Sequence, residues 1–493
     1  MPKPANLLFF LSDNHARGMM GSYGHPAVKT PTLDALAASG ARFANAYSAS
    51  PICCPARASI ATGRYPHQTG YWDNAIVYDG RVASWMHRLR EAGYETASVG
   101  KLHFRATEDD NGFDEEIVPM HILNGKGGVA MLLRWSDEEP VNKGQWELYL
   151  DKSGIGSTHY QDYDVEISNR AIAWLEAKAQ RSGKPWALFV SYVSSHPPFT
   201  VPQRLWDMYD DAAMALPVGY RPEERSEHPA DQYLRRTMGF KAMTDPSALR
   251  RIARAYCALT THLDEQIARV LGAADRTGLR DGARIVYTSD HGEALGAHGL
   301  FGKYSLYEPS VGVPLLFSGP DVPRGVTIDE PVSHVDLFAT LVAGAGGRLR
   351  DADRDIGGES LWPVLGGAKR PRPVFAEYHA AGSRTGMSMI RVGNEKLIYH
   401  VGAPAQLFDL EADPDELRDL ATTPAGRSRA AELERALRKV CDPEAVDRRA
   451  KADQKAKAEF WGGNEAILKE GLLVYTPPPG VKAEIEPATP ASR

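Results

Sequence analysis

NLLFFLSD (residues 6–13) and ARIVYTSD (283–290) decide the fold, because each is a short run of apolar, β-forming residues that ends in polar side chains. Runs of this kind are typical of buried parallel strands. Residues 94–101 and 186–193 repeat the pattern, and apolar residues recur at helical spacing between the strands, most clearly over 249–279. The sequence therefore predicts a doubly wound α/β fold with a mostly parallel central sheet and flanking helices.

Two regions depart from this alternation of strands and helices. Residues 118–166 and 208–247 are rich in Gly, Pro, aromatic and charged residues, and we expect insertions that cover a ligand crevice and set specificity. After about residue 370 the sequence predicts a pair of antiparallel strands and then a charged helix around 428–440. The expected units are a catalytic domain (1–370), a small C-terminal α+β subdomain with an antiparallel sheet (371–445), and a proline-rich tail that is either mobile or docked on a neighbouring subunit (446–493).

Composition limits the class of protein. A chain of 493 residues with 43% hydrophobic content can bury a large core. Its 57 basic and 63 acidic residues show no excess of positive charge for nucleic acid, which favours a small-molecule substrate. The apolar run at residues 7–11 is too short for a signal peptide or a membrane span. We expect a cytoplasmic protein with free thiols and with no membrane or nucleic-acid partner. Whether the protein forms a homo-oligomer stays open.

Cys53 and Cys54 are adjacent and precede Pro55, in a chain with only four cysteines. Adjacent cysteines bridge each other only with strain, and the absence of any C-x-x-C excludes the usual zinc site. Pro55 suits the first turn of a helix, which would place Cys53 at a helix N-terminus that favours an anion, with Arg57 one turn further on. A buried structural thiol is the alternative interpretation.

Oxygen and nitrogen donors follow two of the predicted strands. Asp13 and Asn14 close the first, and Asp290 and His291 close the strand at 283–290. Because parallel strands end at the same edge of a sheet, we expect the four side chains to converge. Three oxygen ligands favour Ca²⁺, and the imidazole also admits Mn²⁺. Each pair alone could instead form an ordinary turn or loop.

Cys53, Pro55 and Arg57 form C-x-P-x-R, which together with ATGRYPHQTG (61–70) resembles the signature of the formylglycine-dependent sulfatases, in the alkaline-phosphatase-like superfamily. The resemblance covers most of the chain. The further matching motifs, in the order of the family, are LSDN (11–14), GKLHF (100–104), SSHPPF (194–199), SDHGEALGAHGLFGK (289–303) and LFDLEADPDELRDLA (407–421).

The resemblance implies that a formylglycine-generating enzyme oxidises Cys53 to formylglycine and that Cys54 only fills a variable position. It implies hydrolysis of small-molecule sulfate monoesters to an alcohol and inorganic sulfate. One divalent metal ion, Ca²⁺ or alternatively Mn²⁺, would be held by Asp13, Asn14, Asp290, His291 and the residue derived from Cys53. The family often has a second Asp where Asn14 stands, which leaves the identity of the ion open.

The same resemblance assigns roles to the basic residues. Arg57 and Lys101 would bind the hydrated formylglycine and its developing charge. His103 would accept a proton when sulfate leaves. His196 and Lys303 would contact the leaving-group oxygen, with His196 as the general acid because the ordinary pKa of histidine is near neutral. Lys303 has the least support, since its loop shows no periodicity.

Three functions stay open at this point. They are a sulfate monoester hydrolase, a phosphonate monoester or phosphodiester hydrolase with the same formylglycine and metal site, and a non-catalytic anion-binding homologue in which Cys53 is never converted. YWDNAIVYDG (71–80) also resembles a stretch of the choline sulfatases, in which Asn74 would lie near the sulfate. The remaining histidines that we considered are interpreted as structural: His25, His67, His87 and His298.

Overall fold

The computed structural model describes residues 2–137, 139–181, 183–240, 245–370 and 372–488. In chain order the strands are β1 (Asn6–Ser12), β2 (Ala41–Phe43), β3 (Ala46–Tyr47), β4 (Glu95–Lys101), β5 (Glu115–Met120), β6 (Gly154–Ile155), β7 (Trp186–Ser191), β8 (Thr200–Val201), β9 (Ala283–Ser289), β10 (Gly312–Val313), β11 (Leu315–Ser318), β12 (Val326–Ile328), β13 (Val332–Ser333), β14 (Val374–Tyr378), β15 (Met387–Val392), β16 (Glu395–His400), β17 (Gln406–Asp409), β18 (Leu472–Leu473) and β19 (Ile485–Glu486).

The α-helices, also in chain order, are α1 (Pro31–Ser39), α2 (Cys53–Thr62), α3 (Pro66–Thr69), α4 (Trp85–Glu91), α5 (Lys143–Leu150), α6 (His159–Ala179), α7 (Gln203–Trp206), α8 (Pro229–Thr237), α9 (Pro246–Arg276), α10 (Glu308–Val311), α11 (Asp336–Gly344), α12 (Trp362–Leu365), α13 (Pro424–Leu437), α14 (Pro443–Phe460) and α15 (Gly463–Glu470). In the ranges that the structure describes, no helix is both long and apolar enough to cross a membrane.

The main sheet has the strand order β12-β2-β11-β9-β1-β7-β4-β5. Strands β9, β1, β7, β4 and β5 run parallel, whereas β11 is antiparallel to both of its neighbours. Phe9 of β1 pairs with Val286 on one side and with Phe189 on the other. A mostly parallel central sheet is therefore confirmed, and the residues that follow β1 and β9 meet at one edge of it.

Helices cover both faces of the sheet, and β1 shows how the sequence achieves this. Leu7, Phe9 and Leu11 pack with α2, α4 and α11 on one face. Leu8 and Phe10 pack with α1, α6 and α9 on the other. Burial on both faces explains why the strand is apolar without interruption.

The C-terminal part contains a second, antiparallel sheet in the order β14-β15-β16-β17. Phe375, Ile390 and Leu397 of this sheet pack against Leu433 and Leu437 of α13. The predicted antiparallel strands and charged helix are present, and the helix lies a few residues earlier than expected because Thr423 caps its first turn. The domain boundaries stay a prediction, and residue 371 lies outside the described residues.

The last part of the chain lies against an earlier part of the same chain. Ala458 of α14 and Ile467 of α15 pack with Leu132 and Leu133. The described tail thus has contacts within its own chain, and docking on a neighbouring subunit stays a prediction. Three predicted segments extend beyond the described ranges: the two insertions at residues 138 and 241–244, and the tail at 489–493.

Candidate active site

Cys53 is the first residue of α2 and lies where several charged side chains converge. Its Sγ is 3.1 Å from Lys303 Nζ, 3.3 Å from His291 Nε2 and 3.8 Å from Asp13 Oδ1. Burial and the Asp13 carboxylate raise the pKa of the thiol, but Lys303 and His291 outweigh them and lower it below its ordinary value. The position thus favours an anion at Cys53, as expected for the N-terminus of a helix.

Cys54 has a different environment although it is the next residue. Its side chain packs with Val77 and Ile122, and burial raises the pKa of its thiol well above the ordinary value. The Cys54 backbone N–H donates to Asn74 Oδ1 at 3.0 Å. Asn74 therefore positions the first turn of α2, and the predicted contact of Asn74 with sulfate stays a prediction.

A cluster that could hold a metal ion surrounds the thiol. Asp13, Cys53, Asp290 and His291 each offer one ligand atom, and these atoms all lie within 4.8 Å of one another. The Asn14 backbone N–H donates to Asp290 Oδ1 at 3.2 Å, and Asn14 Oδ1 is buried without a hydrogen-bond partner in the described chain. Since a buried acceptor without a partner costs free energy, this oxygen fits a ligand for a cation. The donor set of oxygens and one imidazole suits a divalent ion.

Arg57 and Lys101 are bound to the carboxylates of this cluster. Arg57 donates from Nε to Asp290 at 2.8 Å and from a terminal nitrogen to Asp13 at 3.3 Å. Lys101 Nζ lies 2.6 Å from Asp13, and Ser191 Oγ accepts from Arg57 at 3.0 Å. Burial alone would raise the pKa of Asp13, but Lys101 and the other nearby cations hold it well below its usual range. The carboxylate is therefore ionised and available to a metal.

His103 and His196 lie in the same charged region. Neither ring nitrogen of His103 has a partner in the described chain, and its backbone has a φ of 55°. Burial lowers the pKa of His103 well below its ordinary value, and Lys101 lowers it further. Burial also lowers the pKa of His196 well below its ordinary value, and Lys303 lowers it further. Both shifts favour the neutral form of the rings in the free protein, and a bound anion would oppose them.

The tautomer of neutral His196 follows from its contacts. Its Nδ1 lies 2.7 Å from the carbonyl oxygen of Pro197, which only accepts, so Nδ1 carries the proton. This leaves Nε2 without a hydrogen bond to any residue that the structure describes. Tyr160 contacts the ring edge-on. Nε2 is thus the atom of His196 that can exchange a proton with a bound substrate.

Lys303, the residue with the least support from the sequence, lies beside Cys53 and is 4% exposed. Burial lowers its pKa, but Cys53 and Asp13 outweigh that effect and raise it. The histidines predicted to be structural have local contacts away from this cluster. His25 accepts from backbone N–H groups, His67 bonds to Glu377, His87 bonds to Ser84 and His298 stacks on Tyr307.

Three residues of the site escaped the sequence analysis. Glu293 accepts from Asn14 Nδ2 at 2.6 Å, and Tyr149 donates to Glu293 at 3.4 Å. Asp164 of α6 accepts from the backbone N–H groups that follow β7, at 2.8 and 3.1 Å, and so fixes the turn that carries His196. The sequence could have indicated Glu293, since it follows His291 by two residues in a polar loop. No sequence pattern indicates Tyr149 or Asp164 as part of the site.

The chain matches known families over most of its length. A family model described as sulfatase matches residues 5–347, and one described as the C-terminal part of N-sulphoglucosamine sulphohydrolase matches residues 296–442. Choline-sulfatase of Rhizobium meliloti (strain 1021) is 35% identical over 409 residues, which cover 80% of this chain and 78% of that protein. Arylsulfatase K of Bos taurus is 29% identical over 448 residues, which cover 85% and 79%.

Solved structures show the same fold. A protein in complex with its substrate D-glucosamine-2-N,6-O-disulfate aligns with a TM-score of 0.71 and 23% identity, over 91% of this chain and 99% of that one. The phosphonate monoester hydrolase of Silicibacter pomeroyi aligns with a TM-score of 0.71 and 24% identity, over 88% and 94%. A protein whose substrate is a sulfated sugar and a phosphonate monoester hydrolase therefore share this fold.

Proposed function

The chain belongs to the sulfatase family and is a sulfuric ester hydrolase, and from this premise we propose that it uses formylglycine derived from Cys53 together with one divalent metal ion. We further propose that the ion is Ca²⁺, with Mn²⁺ as the alternative, and that a separate formylglycine-generating enzyme matures the protein in the cytoplasm.

The convergence of charge on Cys53 carries this proposal. A lysine, a histidine and a carboxylate all lie within 3.8 Å of its Sγ, at the N-terminus of a helix. A thiol that only fills space in the core does not require charged neighbours, and the surroundings of Cys54 are apolar. The arrangement suits a group that becomes negatively charged during a reaction.

The metal site is proposed from the ligands that the chain offers. Asp13, Asn14, Asp290 and His291 would hold the ion through two carboxylates, an amide oxygen and an imidazole nitrogen. When both groups are present, the hydrated formylglycine supplies a hydroxyl nucleophile, and the ion lowers the pKa of that hydroxyl and polarises a sulfate oxygen. Arg57 is held by Asp290 and Asp13 and balances their charge.

Lys101 and Lys303 would bind the remaining sulfate oxygens. Both ammonium groups are at most 4% exposed, so their attraction to an anion is screened little by water. Their positive charge lowers the pKa of His196 in the free protein, and a bound sulfate ester would offset this effect. His196 would then carry a proton at Nε2 and donate it to the leaving alcohol oxygen.

His103 is proposed to act in the second half of the reaction. Its neutral ring has no hydrogen-bond partner in the described chain, so one nitrogen can accept a proton from a hydroxyl group in the site. Removal of that proton allows sulfate to leave while the carbonyl group re-forms. The two histidines would thus act in opposite directions, one as an acid and the other as a base.

The comparisons favour sulfate over phosphonate monoesters as the substrate. The curated relatives at or near 30% identity are named as sulfatases, whereas the phosphonate monoester hydrolases match at 24% identity or less and show only a shared fold. Charge does not separate the two substrates, since both esters carry one negative charge. We propose small alkyl or aryl sulfates as the preferred class, with weaker activity on phosphonate monoesters.

A matched panel of nitrophenyl sulfate, nitrophenyl phenylphosphonate and bis-nitrophenyl phosphate tests the proposal. The metal-replete protein with Cys53 converted should give its highest kcat/KM with the sulfate. A higher kcat/KM with either phosphorus ester would move the assignment to a phosphonate monoester or phosphodiester hydrolase.

A further inference from the structure

Asn14 and Glu293 form a buried pair beside the metal cluster, and both side chains are at most 2% exposed. Asn14 Nδ2 donates to Glu293 Oε2 at 2.6 Å, while Asn14 Oδ1 has no partner in the described chain. An amide has one accepting and one donating end, so the end that faces the cluster decides whether it can bind a cation. We propose that Glu293 is the positioning residue that turns the Asn14 oxygen toward the metal, an inference that rests on the proposed metal-dependent function.

Contacts independent of Asn14 fix the Glu293 carboxylate. Its Oε1 accepts from the backbone N–H groups of Leu295 at 2.8 Å and Gly302 at 2.5 Å. Its Oε2 accepts from the Tyr149 hydroxyl at 3.4 Å. The carboxylate therefore offers only an acceptor to Asn14. The reverse orientation of the amide would place two acceptor oxygens 2.6 Å apart, so Nδ2 must face Glu293. Oδ1, which has no partner in the described chain, is then left for a cation.

The pair also places a carboxylate behind a neutral ligand. Asn14 is neutral, and the Glu293 carboxylate that accepts from it lies outside the group of possible ligand atoms. A carboxylate that accepts from the far end of a ligand fixes that ligand's orientation and increases its basicity. The Asn14 amide backed by Glu293 would thus serve in place of a ligating carboxylate.

Glu293→Gln should weaken metal binding although it removes only a charge outside the ligand set. The N–H groups of Leu295 and Gly302 would keep the Gln oxygen at the Oε1 position, so the Gln nitrogen would face Asn14. Asn14 would then turn its oxygen toward position 293 and present its own nitrogen to the cation. Loss of such an orienting contact typically costs about 10–100-fold in metal affinity.

Asn14→Asp separates this mechanism from simple electrostatics. A new carboxylate among the ligands should tighten binding by Coulomb attraction. Facing an intact Glu293, however, it places two acceptors at hydrogen-bonding distance with no hydrogen between them, and we expect affinity to fall by about 10-fold or more. In Asn14→Asp/Glu293→Gln the Gln nitrogen can donate to the new carboxylate, so affinity should return to that of the wild type or exceed it.

The test measures binding rather than activity. Isothermal titration of the metal-free, full-length wild type, both single variants and the double variant with Ca²⁺ alone, repeated with Mn²⁺, gives four dissociation constants per ion. The matched control is Glu139→Gln, since Glu139 is also buried and accepts from a backbone N–H, that of Gly382 at 2.9 Å, but lies outside the cluster. The control should bind like the wild type.

Weak binding by both single variants and recovery in the double variant support the inference. Tighter binding by Asn14→Asp alone, or equal binding by all variants, overturns it and leaves the proposed function intact. If the wild type binds neither ion, the metal-dependent function fails and the inference fails with it. Should Glu293→Gln not fold, Asn14→Asp is compared with the wild type alone, and binding by Asn14→Asp that is as tight as that of the wild type overturns the inference.

Discussion

The cluster around Cys53 can be compared with a second buried cluster, formed by Arg17, Glu308, Lys396 and Glu416 between the loops after the main sheet and the C-terminal sheet. In this bridging cluster Lys396 lies 2.9 Å from Glu308 and 2.8 Å from Glu416, and Arg17 lies 2.5 Å from Glu308. Each charged side chain thus has an opposite charge within 2.9 Å, although Arg17 Nη1 and Glu416 Oε1 make no hydrogen bond within the described chain.

The cluster around Cys53 is only partly paired. Lys101 and Arg57 bind carboxylates, but the Asn14 oxygen and both His103 nitrogens have no hydrogen-bond partner in the described chain, and Lys303 lies beside a thiol. Both clusters contain fully buried charges, although Arg17 of the bridging cluster is 19% exposed, so burial alone does not reveal function. The difference indicates that the charges of the bridging cluster stabilise the fold. The cluster around Cys53, which we call the reactive cluster, instead keeps polar groups available for a ligand.

The largest expected effect lies inside the reactive cluster. Cys53→Ala should lower kcat/KM by about 10⁴-fold or more, because the precursor of the nucleophile is gone. Cys54→Ala should keep most of the activity, since that thiol packs in an apolar group. Thermal melts establish that both variants fold. Equal losses of activity in two folded variants would contradict the separate roles of the thiols.

Two lysine substitutions test the comparison between the clusters. Lys396→Met leaves Glu308 and Glu416 without their shared cation and should lower the free energy of unfolding by about 3–5 kcal/mol. Lys101→Met should lower kcat by about 10²–10³-fold at a smaller cost in stability, because Asp13 keeps Arg57 as a partner. Denaturant unfolding and steady-state kinetics measure both quantities. A larger loss in the free energy of unfolding for Lys101→Met than for Lys396→Met would contradict the distinction between the two clusters.

His196→Ala sharpens the assignment of roles within the reactive cluster. An alkoxide leaving group needs a proton and a nitrophenolate hardly does, so kcat/KM should fall by about 10²-fold for alkyl sulfates and change little for nitrophenyl sulfate. His25→Ala is the control, since His25 contacts only a local turn. A uniform loss across leaving groups would exclude His196 as the general acid.

The smallest effect is the pH dependence of the bridging cluster. Burial, together with Glu308, raises the pKa of Glu416 to about 7, although Lys396 opposes this rise. Between about pH 4.5 and 7 the unfolded chain loses this proton while the folded chain keeps it, so stability falls as pH rises through that window. The lowered pKa of Glu308 changes stability at pH values below this window.

Glu416→Gln should flatten the dependence of stability on pH between about 4.5 and 7, by about 1–3 kcal/mol across the window, because an amide does not titrate there. Urea unfolding at several pH values measures it. A curve for the variant as steep as that of the wild type would assign the dependence to other groups.

Much of the fold could be predicted because its strands are buried on both faces and read as continuous apolar runs. The residues directly after β1 and β9 could be placed together for the same reason, since parallel strands end at one edge. The short strands β12 and β2, at one end of the main sheet, could not be predicted. Each has only three residues, too few to show a pattern.

The parts of the site that could not be predicted depend on contacts between distant loops. Glu293 meets Asn14 across 279 positions. Lys303 was placed in the site by the family resemblance, but its contact with Cys53, across 250 positions, was not predicted. Neither contact leaves a periodic signal in the sequence. The pKa of His196 was also beyond prediction, because its shift comes from burial and from Lys303, which only the folded chain brings close.

The most direct measurement of the central claim is mass spectrometry of the tryptic peptide 43–57, which contains both adjacent cysteines. Protein made in a host with the formylglycine-generating enzyme should show an aldehyde oxygen in place of the sulfur at Cys53 and an intact thiol at Cys54. Sulfate ester hydrolysis should rise in proportion to the converted fraction. Full activity in protein whose two cysteines are both unmodified thiols would contradict the account.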